Sequence, residues 1–161
     1  DAQALIMIDF AHHEVHEGNH YYVSGYTEKD DTDTMAFAVT TNSTAEIHMV
    51  WSIATSLAAN VKVYENSTVT GGTAVTPFNS NRNSSNTSTL TIVTNPTVST
   101  TGTLIAASGF GAVGNKLSSF GGTMERDSEI ILAKSKTYRW LITSEDDSNV
   151  IDYVGMWYEL E

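Results

Sequence analysis

At 161 residues the chain has room for one hydrophobic core, since halving it would leave each part too little surface to bury. A formal charge of −11 with only 8 Lys and Arg works against nucleic acid and anionic membrane surfaces, which need clustered cations. There is no Cys, so disulfides and thiolate metal sites are excluded, and no apolar run approaches the ~20 residues of a membrane span.

No charged n-region followed by an apolar core opens the chain, so no signal peptide is read, and a start at Asp1 rather than Met fits residues removed upstream. Charged residues make up 17%, which is low, and Ser, Thr, Asn and Gly take their place at the surface. Thr, Val and Tyr favour strands, so the composition predicts an all-β chain.

Residues 5–10 are apolar apart from Asp9 and read as a short strand. A histidine-rich run follows, then an aromatic strand over 21–26. The acidic turn 28–33 leads to 35–39, where Met35, Phe37 and Val39 alternate with small residues. Ile47, Met49, Trp51 and Ile53 alternate with His48, Val50, Ser52 and Ala54, the period of a half-buried strand. Val61 and Val63 repeat the pattern, and Gly71-Gly72 predicts a hairpin turn. Residues 79–86 are a polar loop, 87–94 and 102–107 are strands, and 110–123 is Gly-rich and irregular. Strands over 129–133, 138–143 and 150–160 complete the set. About nine strands with turn signals between them predict a single-domain, antiparallel, jelly-roll-like β-sandwich, and no long helix is expected. Residues 1–19 are read as an N-terminal arm or first strand, and 20–161 as the sandwich.

In the last strand Ile151, Tyr153 and Trp157 point one way, while Val154, Met156, Tyr158 and Leu160 point the other. A strand apolar on both faces needs cover on both, from another subunit or from a loop of the chain. Between 66 and 124 there is no Asp or Glu, so one lobe is neutral and hydroxyl-rich while acid gathers at the two ends of the sequence. That lobe is either solvated loop or a docking surface.

The histidines are the one constellation suited to metal chemistry. Were 12–16 extended, His12, Glu14 and His16 would share a face, the ligand set of non-haem iron sites. Cupins instead resemble a His-x-His pair with a nearby Glu and a distant third His, and no His follows His48 here. No metal and no cofactor are therefore expected. Gly109-Phe110-Gly111-Ala112-Val113-Gly114 matches a dinucleotide fingerprint, but the polar, Gly-containing sequence after it cannot open the required helix. Asp31, Asp33 and Glu145-Asp146-Asp147 lack the glycine and terminal Glu of an EF-hand and read as solvated turns. Asn42, Asn66, Asn83 and Asn86 each begin an Asn-x-Ser/Thr sequon, which a Thr-rich chain produces by chance. No nucleophile elbow is present, and no enzyme is expected.

Several segments together resemble a family of small structural proteins of tailed-bacteriophage virions. They are Ile8-Asp9-Phe10-Ala11-His12-His13-Glu14-Val15-His16-Glu17-Gly18-Asn19-His20-Tyr21-Tyr22, Val61-Lys62-Val63-Tyr64-Glu65, Gly71-Gly72-Thr73-Ala74-Val75-Thr76-Pro77, Asn81-Arg82-Asn83-Ser84-Ser85, Gly121-Gly122 and Met156-Trp157-Tyr158-Glu159. The resemblance implies a capsid decoration (cement) protein at the capsid surface, with the major capsid protein as partner and self-association as a homotrimer. It implies no catalytic residues. Ile8, Phe10, His12, His13, His16, Trp157 and Tyr158 are the expected capsid or subunit contacts. A tail- or fibre-associated glycan- or receptor-binding module and a cupin-like metalloenzyme are the alternatives.

Overall fold

The structure, a computed structural model, describes residues 10–110, 118–120 and 129–160. Helix α1 (Phe10–Glu17) leads into β1 (His20–Lys29), β2 (Thr34–Thr40), β3 (Glu46–Thr55) and β4 (Ala59–Glu65). Five short strands follow: β5 (Thr68–Thr70), β6 (Thr73–Val75), β7 (Phe78–Asn79), β8 (Thr91–Thr94) and β9 (Thr97–Thr100). The rest are β10 (Thr103–Phe110), β11 (Ser118–Phe120), β12 (Ile130–Leu132), β13 (Thr137–Ser144) and β14 (Asn149–Leu160).

Two antiparallel sheets face each other. The first runs β11-β3-β14-β1-β7, with β12 also on β3, and the second runs β10-β4-β13-β2-β8-β6. With β11 and β12 taken as one edge, the main strands read β1-β14-β3-β12 in one sheet and β2-β13-β4-β10 in the other. Successive main strands change sheet except at the β4–β10 pair, which is the connectivity of a jelly roll. Everything between β4 and β10 is an insertion that lengthens both sheets and adds the β5-β9 ribbon.

The alternation read from sequence sets the core. Ile47, Met49, Trp51 and Ile53 of β3 are all buried, facing Val61, Val63, Trp140 and Ile142. Trp51 lies 5.1 Å from both the Phe37 and Trp140 rings, and Phe37 lies 4.3 Å from Tyr153. Each such side chain contributes roughly 1.5–3 kcal/mol on burial. Gly155 pairs with Trp51 across the sheet, and a Cβ there would lie 3.0 Å from the indole. Its hydrogen makes room for the largest core ring.

Two expectations are corrected. The sandwich has more strands than the nine expected, because the polar stretch after β4 forms short strands despite its low hydrophobicity. The stretch from Phe10 is helical rather than extended. It ends at Gly18, where φ is 78°, with Asn19 N–H donating to Glu14 O (2.9 Å) and Gly18 N–H to Val15 O (3.2 Å). That pair of bonds is a Schellman cap, and it holds a histidine-rich segment of modest propensity in a helix. The rest of the strand expected over 5–10, including the expected contact Ile8, lies outside the described residues, as do 111–114 of the glycine run.

Candidate functional site

The helix rearranges the histidine cluster. His12 and His16 sit one turn apart, Nε2 to Nε2 at 3.1 Å on the exposed side. Glu14 faces the other way and is buried, accepting from Asn19 Nδ2 (3.0 Å) and approached by His13 Nδ1 (3.2 Å). The two-histidine, one-carboxylate face expected of an extended chain is therefore not formed, because a 3.6-residue turn puts Glu14 opposite His12 and His16. Among the described residues no three metal-ligating side chains converge.

The acidic turns do come together. Asp31 N–H donates to Asp147 Oδ1 (3.1 Å), Ser148 N–H to Asp30 Oδ1 (3.2 Å) and Ala58 N–H to Asp146 Oδ2 (3.1 Å). Carboxylates there latch the β1–β2, β3–β4 and β13–β14 turns at one end of the sandwich.

At the opposite end the outer face of β14 is closed by the chain itself. Phe10 meets the Tyr158 ring edge-on at 5.7 Å, and His48 stacks on it at 4.6 Å. Tyr158 O–H donates to Glu129 Oε1 (3.1 Å). His48 carries Glu129 Oε1 at 2.6 Å from Nδ1 and Glu46 Oε1 at 2.9 Å from Nε2. Trp157 and Tyr158 are only 1% and 3% exposed. Within the chain Trp157 lies in the core, and Tyr158 is covered by Phe10 of α1 and by His48, while Val154, Met156 and Leu160 on the second face are half-buried. Phe10, His12, His13 and His16 remain at the surface.

Next to this closed end lies an open cleft of about 900 Å³, lined by Glu14, Asn19, Tyr21, Asn86, Thr89 and Glu159 among others. Glu159 is buried and fully used. Its carboxylate accepts from Trp157 Nε1 (3.0 Å), Ser88 Oγ (2.5 Å), Thr89 N–H (3.0 Å) and Thr89 Oγ (2.6 Å). With its lone pairs taken, it pins loop 84–89 to the sheet and is no free base. What the cleft offers a ligand is amides and hydroxyls.

The outer face of the second sheet differs. Arg139 of β13 pairs with Ala38 of β2 and Tyr64 of β4. Its guanidinium lies 4.6 Å from the Tyr64 ring, and the residue is 6% exposed. Its Nε is buried with no hydrogen-bond acceptor. On the same face, by strand alternation, are Ala36, Lys62, Leu141 and Thr143, and none of the described strand positions there is acidic. At the edge, Leu104 and Ile105 of β10 are 51% and 44% exposed.

No known family, curated protein or solved structure matches this chain. Sequence reading singled out the histidines and the last strand but passed over Glu159 and Arg139. The alternation of Tyr138, Trp140 and Ile142 puts Arg139 on the outer face, yet no pattern signals that an outward Arg will be buried.

Proposed function

We propose that the chain is a structural protein of a tailed-phage virion, a decoration protein that adds to the assembled shell through the major capsid protein. The observation that carries this reading is the separation of charge. In a chain of −11, the outer face of the second sheet bears Lys62 and Arg139 with no carboxylate among its described strand positions, and exposed Leu104 and Ile105 border it. The acids sit instead at the two ends of the sandwich, Asp30, Asp31, Asp146 and Asp147 at the turn end and Glu14, Glu46, Glu129 and Glu159 at the other. A body acidic at its ends and neutral to basic on one flank is suited to lie flank-down on a partner, with its acidic ends directed away from the contact. The family resemblance along the chain supports the same role.

The test is addition of the purified protein to undecorated shells of its phage. Co-sedimentation that saturates at a fixed copy number per capsomer is expected; no co-sedimentation at micromolar protein would sink the reading.

The cleft beside Glu159 favours a second reading, a glycan-binding module, because amide and hydroxyl side chains suit a polyhydroxy ligand. Saturation-transfer NMR with host surface polysaccharide, giving a signal that Asn86→Ala removes, would favour it over shell binding.

A further inference from the structure

We propose that Arg139 is a receptor for a carboxylate from a partner protein, so that the outer face of the second sheet binds a segment presenting Asp or Glu amid apolar side chains. With respect to the shell, this rests on the function proposed above. Arginine is almost never buried without a partner, because the guanidinium gives up water that only an acceptor can replace. Here the residue is 6% exposed, Nε has no acceptor, and no carboxylate lies within ion-pair distance among the described residues. The Tyr64 ring at 4.6 Å holds the charge by cation–π contact but accepts no in-plane N–H bond.

The strand neighbours point to an acceptor from outside. Ala38 and Tyr64 flank Arg139 directly, with Leu141, Ala36 and Lys62 on one side and Thr137 and Thr40 on the other; the two threonine hydroxyls bond each other at 3.0 Å, and besides them only the Tyr64 hydroxyl could accept from the guanidinium. Ala38 and Ala36 are buried beside it, at 1% and 7% exposure. Lys62 adds a second cation, and Leu104 and Ile105 provide apolar contact at the edge. A polyphosphate would meet only these two cations on a chain of −11. A single carboxylate in an apolar segment fits, since a planar carboxylate matches a guanidinium in two parallel bonds.

Two measurements test this. In the first, the Arg139 Nε–H NMR signal is followed while sodium acetate is titrated against sodium chloride at equal ionic strength. A saturable shift with acetate is expected; a flat response overturns the proposal, whatever the shells do. In the second, Arg139→Met is compared with Lys134→Met, which removes the same charge from an exposed position bonded to Thr44 O. Arg139→Met should melt within about 3 °C of wild type and bind shells at least about tenfold more weakly, while Lys134→Met binds normally. Unimpaired binding by Arg139→Met, or melting well below that range, would overturn the proposal, the latter by making Arg139 a structural residue. If wild type itself ignores the shells, only the decoration reading fails, and the acetate response alone decides the carboxylate site.

Discussion

Two buried charges on neighbouring strand systems are treated in opposite ways. Glu159, near the end of β14, meets an indole N–H, two hydroxyls and a backbone amide, all from its own chain. Arg139, in the middle of β13, meets one aromatic ring and leaves Nε without an acceptor. A carboxylate whose donors are complete belongs to the fold, because removing it strands those donors. A guanidinium whose acceptor is missing adds little to the free chain and is best explained by what arrives later. Burial alone does not separate the two, at 7% and 6% exposure. The count of satisfied partners does.

The largest effect expected from this contrast is at Glu159. Glu159→Ala leaves Trp157 Nε1 and the Thr89 amide without their acceptor in a buried setting, and it releases loop 84–89. A loss of about 2–3 kcal/mol is expected in urea unfolding. If Glu159→Ala proves as mild as Arg139→Met, partner counting does not distinguish structural from recruiting charges here.

A smaller effect is expected at Tyr158, on the outer side of the first sheet, where Phe10 of α1 packs on its ring. Phe10 is 41% exposed yet packs on Tyr158, so Phe10→Ala should cost about 1 kcal/mol, mostly the ring pair. It should also raise the solvent accessibility of Tyr158, read by acrylamide quenching of tyrosine emission in a background lacking the other exposed tyrosines. Unchanged stability and quenching would mean that β14 is closed by His48 and Glu129 without the helix.

How far these features were legible in the sequence follows from the range of the interactions. The alternation over Ile47, Met49, Trp51 and Ile53 is a local signal, and all four are in the core. The jelly-roll order followed from many short strands with turns between them. The helix was missed because its deciding feature is the Gly18 cap, a conformation that a glycine permits but does not announce. Glu159 was unreadable for another reason: apart from the Trp157 indole, its donors come from Ser88 and Thr89, about 70 residues away in the chain. The cover on Tyr158 comes from Phe10, at the other end of the sequence, so a strand apolar on both faces pointed equally to a subunit or to a loop.

The smallest expected effect is a pH dependence at the closed end. His20 is partly buried at the start of β1, with Nδ1 2.7 Å from Ser80 Oγ, and burial pushes its pKa below the usual 6.5. It shares a small cavity of about 70 Å³ with His48, Glu129 and Tyr158, the other titratable side chains that line it. Because the folded pKa is the lower one, the unfolded chain takes up a proton first as pH falls. The contribution of His20 is thus complete above about 6.5 and declines as pH drops from there through the folded pKa. Urea midpoints between pH 7.5 and 5 should therefore fall, and His20→Gln should flatten part of that slope while keeping a hydrogen bond to Ser80 within reach. A slope identical in wild type and His20→Gln would show that burial of His20 does not set the acid sensitivity.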